Sequence, residues 1–250
     1  MNDQDNTHVI EDLFTYLGTL RNYPNGTIKI PGRILGTAFF PGGSGLWNTQ
    51  PNHALPSMPF GGVMVIGNNF DSEAGFEYSF NHLGEDLNGA TWRNLLAFLK
   101  EVKIPPEECF FTNAYVGLVA GNSATGLFPG ARSPDFVRWC QNFLLYQLRL
   151  MKPRLILSLG IYVPRFMAPL SPALNSSWSD ITSFKVLDKR GVALVYPTTF
   201  IGLSHPIAVV ALTHPCYRPV NVRFRRYGNL EGDAAEQALV RDALAMVGYE

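Results

Sequence analysis

Four short apolar runs constrain this chain most. They read GVMVI at Gly62–Ile66, CFFT at Cys109–Thr112, LILSLG at Leu155–Gly160 and IAVVALT at Ile207–Thr213. None shows the polar–apolar alternation of a half-exposed strand. Such runs suit strands buried on both faces, as in a parallel sheet. Between them lie stretches with helical spacing. Trp92, Leu95, Leu96, Leu99 and Val102 share one face over residues 90–102. Val137, Cys140, Leu144, Leu148 and Met151 share another, with Phe136 and Phe143 beside them. Ser133-Pro134 opens that second helix, Ser as N-cap and Pro in the first turn, and Pro153 closes it. VALVY at Val192–Tyr196 reads as a fourth or edge strand, and a last helix is expected over residues 233–246. Strands alternating with helices predict the α/β class: a three-layer α/β/α sandwich around a mainly parallel sheet of four to five strands.

The flanks read differently. Val9, Leu13, Leu17 and Leu20 predict an amphipathic helix over about residues 7–21, stopped by Pro24-Asn25-Gly26. Residues 31–61 are rich in Gly and Pro and read as a long loop section. With 250 residues, 46% of them apolar, one domain is expected over residues 1–250. Its parts are an N-terminal helix and loop section (1–61), a core (62–219), and a basic loop with a final helix (220–250). The formal net charge is zero, so no global field draws the chain to nucleic acid or membrane, although a local patch still can. Cys109, Cys140 and Cys216 are isolated, and no CxxC pair occurs. The expectation is a cytoplasmic monomer without disulfides, metal, iron–sulfur cluster or cofactor. The acidic, polar N-terminal stretch does not read as a secretory signal, and no apolar run approaches the roughly 20 residues of a membrane helix.

Ligands of parallel sheets bind beyond the carboxyl ends of the strands. That selects Gly67-Asn68-Asn69-Phe70-Asp71, Asn113-Ala114-Tyr115, Gly160 and His214-Pro215-Cys216. No Walker loop, G-x-G-x-x-G after a strand, G-x-S-x-G elbow or HExxH is present. What remains is a set of amides and one histidine, poor in strong nucleophiles. Such a set suits a reaction needing charge stabilisation and a positioned water. N-glycosidic cleavage is one: the sugar develops oxocarbenium character and the base departs with negative charge.

The order of these motifs resembles the uracil-DNA glycosylase superfamily, from about Val63 to Pro219. Gly67-Asn68-Asn69-Phe70-Asp71 stands where the family has G-x-[D/N]-P-[Y/G]. HPCYRP at His214–Pro219 stands for its H-P-S-P, and CFFTNAY for its strand ending in Asn. The resemblance implies that Asn69 orients the attacking water and His214 stabilises the departing base. Asn113 would read the Watson–Crick edge. Asn68 and Phe70 would line the pocket. Tyr78, with Phe76 and Phe80 as alternatives, would stack on the flipped base, and Tyr217 or Arg218 would fill the gap in the duplex. Arg218, Arg223, Arg225 and Arg226 would hold DNA phosphates.

Three departures refine this expectation. Phe70 replaces the proline after Asn69. Asp71 stands where uracil-specific members carry a Tyr that blocks C5 of the pyrimidine and broader members carry Gly. The cysteine set of the iron–sulfur branches is missing; Cys140 stands alone. With Asp71 there, the expected substrate is a bulky, polar, C5-modified cytosine, hydroxymethylated or glucosylated, of phage DNA. Alternatives stay open: a uracil or mismatch repair glycosylase, a DNA-binding module that no longer cuts, or a small-molecule hydrolase using Asp71 or Glu73 as base. Asn68-Asn69 after a glycine also suits an ordinary turn.

Overall fold

The computed structural model describes residues 3–32, 58–82 and 84–249. The apolar runs form strands β1 (Val63–Gly67), β2 (Cys109–Asn113), β3 (Leu155–Leu159) and β5 (Ile207–Leu212), and the edge candidate forms β4 (Leu194–Thr198). The spatial order is β2-β1-β3-β5-β4. β1 pairs in parallel with β2 and β3, and β3 with β5. β4 runs antiparallel to β5. Every residue of the four parallel strands is buried, as their unbroken apolar sequences require. β4 leaves Tyr196 and Pro197 exposed, and an edge is where a sheet tolerates proline.

Helices cover this sheet to give an α/β/α sandwich. They are α1 (Asp3–Leu17), α2 (Glu73–Asn81), α3 (Ala90–Glu101), α4 (Pro134–Met151), the short α5 (Tyr162–Met167), α6 (Pro172–Trp178) and α7 (Phe184–Arg190), and α8 (Gly232–Met246). α3 buries Trp92, Leu95, Phe98 and Leu99, and α4 buries Phe136, Cys140, Phe143, Leu144 and Leu148 among others. Each such side chain contributes roughly 1.5–3 kcal/mol by leaving water. α1 packs on α4, where Tyr16 stacks on Tyr146 with centroids 4.9 Å apart. α8 packs against β5.

Several local expectations need correction. α1 ends at Leu17 rather than near residue 21, because Gly18, a poor helix residue, follows. Ser133 precedes α4 as expected, but its side chain makes no capping hydrogen bond. α2 was not predicted: Phe76, Tyr78 and Phe80 are spaced by two, which hides a helical period. Its start is set by Ser72, whose Oγ accepts the Gly75 N–H at 3.1 Å. The three short helices after β3 fit no apolar repeat long enough to read. Most of the expected Gly/Pro-rich section, residues 33–57, lies outside the described residues. No helix among the described residues is long and apolar enough to cross a membrane.

The topology fixes where a ligand belongs. The chain leaves β1 for β2 on one side, then returns to place β3 on the other. Connections diverge between β1 and β3, and the crevice opens beyond their carboxyl ends.

Candidate functional site

A cavity of about 740 Å³ lies at these strand ends. Its floor is the segment after β1. Gly67 O accepts the Ala114 N–H and Asn68 O accepts the Tyr115 N–H, both at 2.9 Å, so the turns after β1 and β2 are zipped together. Asp71 O accepts the Val119 N–H at 2.8 Å and completes the zipper. Asn68, Asn69, Phe70 and Asp71 all line the cavity. Asn113, the last residue of β2, is 2% exposed and lines it beside them. His214, just past β5, closes another wall. The strand ends therefore bring the three expected polar residues, Asn69, Asn113 and His214, into one space.

Asp71 is held in an unusual way. Its φ is 131°, a left-handed value that costs a non-glycine residue of order 1–3 kcal/mol. Its Oδ1 accepts the Ser72 N–H at 2.6 Å. A Cβ at Gly75 would overlap the Asp71 carboxylate, so the glycine makes the space that the acid occupies.

His214 is positioned from two sides. Its Nδ1 accepts the Cys216 N–H at 3.3 Å, which leaves the ring proton on Nε2. Gly160, with φ 86°, turns beside it; a Cβ there would touch the His214 side chain at 3.4 Å. Burial pushes the imidazole down to about 4, so it is neutral at pH 7. Asn94 of α3 donates to Pro215 O at 2.9 Å and ties the following turn to that helix.

Beneath this wall lies a buried ion network. Glu236 of α8 is fully buried and accepts the Thr213 N–H at 2.7 Å. It pairs with both Arg218 and Arg225. Arg218 also reaches Asp233 at 2.6 Å, and Arg225 reaches Asp188 at 3.0 Å and Ala211 O at 3.0 Å. This corrects the expected DNA-facing set of arginines. Arg225 is 1% exposed and Arg218 9%, so their charges serve carboxylates inside the protein. Arg226 is exposed but pairs with Glu231 at 3.1 Å. Arg223 is exposed, with its guanidinium 4.6 Å from the Phe224 ring centre. None of the four lines the cavity, whereas Tyr217 does and is 45% exposed.

The aromatic expectation also shifts. Tyr78 lines the cavity, but it is 56% exposed and its ring stacks on His82 at 4.0 Å. Phe76 is buried and Phe80 exposed, and neither lines the cavity. Trp92, read from sequence as core, is buried and lines it. Glu85 lines it as well, and no sequence motif marked it. Burial and the neighbouring Asp71 push its carboxyl up to about 7, and a hydrogen bond with Trp92 opposes them. Glu73 instead accepts the Gly121 N–H at 3.4 Å outside the cavity. Burial drives the Cys140 thiol up to about 12, far from thiolate reactivity. Among the described residues, no group of three or more His, Cys, Asp and Glu could hold a metal ion.

The chain matches no protein-family model and no curated protein. The geometry of the site carries the functional argument alone.

Proposed function

We propose that the protein is a DNA glycosylase. It extrudes a C5-modified cytosine, hydroxymethylated or glucosylated, from phage DNA and hydrolyses its N-glycosidic bond, leaving an abasic site as part of antiviral defence. One observation carries the reading. His214 is a neutral imidazole with Nδ1 already engaged and Nε2–H left to donate, in a cavity shared with Asn69 and Asn113.

The chemistry follows from those groups. The target is unreachable in a stacked duplex, so the nucleotide must be flipped out. As the C1′–N bond breaks, its electron pair leaves with the base. A donor aimed at the resulting anion stabilises the transition state more than the ground state. The His214 Nε2–H is such a donor. The Asn69 side-chain oxygen accepts a hydrogen bond from the water that attacks C1′. The proton released by that water passes to solvent. The Asn113 amide has an acceptor for the cytosine amino group and donors for the ring nitrogen beside it. At about 740 Å³ the cavity sits in the upper part of the range for ligand pockets, about 300–1,000 Å³, which leaves room beyond a bare pyrimidine. Asp71, on the cavity wall, suits hydroxyls on a C5 substituent.

A second reading, a binder of altered DNA that does not cut, draws on Asn69, an amide that cannot take a proton as a carboxylate would. One assay separates the readings. Duplexes carrying uracil, a thymine mismatch, hydroxymethylcytosine or glucosyl-hydroxymethylcytosine are incubated with the protein and scored for abasic sites. The proposal expects cleavage, greatest at the modified cytosines, with His214→Ala and Asn69→Ala each slowing it about 10²–10³-fold. Cleavage only at uracil or mismatches would make it a repair glycosylase. Tight binding without abasic sites would support the binder. Neither binding nor cleavage would leave a small-molecule hydrolase with Asp71 as base.

A further inference from the structure

The polar chemistry of the cavity is not exhausted by Asn69, Asn113, His214 and Asp71. Glu85 lies on its wall between α2 and α3, and a hydrogen bond ties it to Trp92, whose indole N–H is a donor. Asp71 is close enough to act on its charge. The Asp71 carboxylate is itself fixed by Ser72, by the space at Gly75 and by a strained backbone. Two oriented carboxyls thus share one cavity, although a loop of this kind normally keeps its acids in water. Strain of this kind persists where the surroundings over-determine it, often at ligand clamps.

A second observation points to a ligand. Thr213 is 3% exposed and lines the cavity, and its Oγ1 has no hydrogen-bond partner among the described residues. The Asn68 Oδ1, on the same cavity, is likewise buried without one. Buried polar atoms are nearly always satisfied, so orphans on a cavity wall mark places that a polar ligand or water fills. The lining is at once aromatic and polar: Trp92, Phe70 and Phe184 border the same cavity as these atoms. A hydroxyl-rich group matches that mixture. Its C–H faces suit rings, and each of its hydroxyls donates one hydrogen bond and accepts others.

We propose that Glu85 is a specificity-determining residue, paired with Asp71 to bind the hydroxyl groups of a substituent on the extruded base. The proposal rests on the glycosylase reading and deepens it, because it assigns discrimination to a residue outside the motif after β1. Burial, and then the neighbouring Asp71, push the Glu85 carboxyl up to about 7, so near neutral pH it is present both as the acid and as the carboxylate. Asp86 adds to that rise, and the other titratable groups on the cavity are His214, Tyr78, Tyr162, Cys216 and Tyr217. The acid form of Glu85 donates to a hydroxyl oxygen and its carboxylate form accepts from the O–H, so either form complements a hydroxyl.

The test compares wild type, Glu85→Ala and Glu85→Gln on duplexes with one uracil, hydroxymethylcytosine or glucosyl-hydroxymethylcytosine, under single-turnover conditions and by equilibrium binding. Circular dichroism checks that each variant is folded, and Glu85→Gln, which keeps the size and a donor, guards against loss of fold in the alanine variant. Loss of a buried hydrogen bond to substrate predicts that Glu85→Ala lowers kcat/KM on the hydroxyl-bearing bases about tenfold or more, with uracil within about twofold. Glu85→Gln recovers part of that loss. Equal losses on all three bases, or none on any, overturn the proposal while the glycosylase reading stands. A wild-type protein that neither cuts nor binds any of the duplexes overturns the glycosylase reading, and this proposal with it.

Discussion

Acid should weaken this protein through His214, by an amount that the structure fixes. In the unfolded chain an imidazole takes its proton near 6.5, whereas burial holds the folded one at about 4. Between those values the unfolded state binds more protons, so the folded state loses stability as pH falls. Above pH 6.5 the loss is absent; below pH 4 it is complete. At 1.36 kcal/mol per unit the full effect is about 3 kcal/mol, most of it reached by pH 4.5. Glu85 acts in the opposite sense. Its raised carboxyl makes the fold more stable as pH falls from about 7. Wild type must therefore be compared with His214→Gln, which carries the same Glu85 but no titrating ring. Urea unfolding at pH 7.5 and 4.5 should show wild type losing roughly 2–3 kcal/mol more than the variant. NMR titration of the ring should place its midpoint well below 6.5. Equal losses, or a ring that titrates at its ordinary value, would mean that the imidazole is open to water and charged in weak acid. His214 would then carry part of a positive charge near neutral pH, which refutes its assignment as a buried neutral donor.

Three other outcomes follow from the packing. Arg225→Met leaves Glu236 and Asp188 buried with a lost partner, which should cost about 3–5 kcal/mol and lower Tm by roughly 10 °C, read by calorimetry. Gly75→Ala forces the Asp71 carboxylate aside and should lower kcat/KM on hydroxyl-bearing bases more than on uracil in the abasic-site assay. Arg223→Ala should reduce the slope of log affinity against log salt for DNA by about one, while Arg226→Ala, already paired with Glu231, should change it less.

The sheet was legible because four buried strands leave an unmistakable sequence: Val63–Ile66 and Ile207–Leu212 have no polar side chain to place. The polar strand ends were legible for a related reason. Topology dictates that Asn69, Asn113 and His214 converge, whatever lies between them. What sequence hid was mostly partnership. Arg218, Arg223, Arg225 and Arg226 read as a basic patch because a charge is visible in sequence and its partner in space is not. Glu236 and Asp188 internalise two of them. Glu85 was missed because its weakened acidity comes from a fold that buries it and places it near Asp71. Trp92 fits the apolar face of α3, and nothing in helical spacing tells a core indole from one that also borders a cavity. Tyr78 borders the cavity from α2, a helix that its own alternating pattern concealed.

The hydrogen bond from the Thr213 N–H to Glu236 has a consequence for the order of assembly. Asn69 and Asn113 are made early or midway along the chain and His214 later, but the carboxylate anchoring the histidine wall belongs to α8, which is made later still. As the protein emerges from the ribosome, β1, β2 and β3 can pair while that anchor is still unmade. The cleft is finished only when α8 docks, so competence at the site arrives together with the buried charges that seal it.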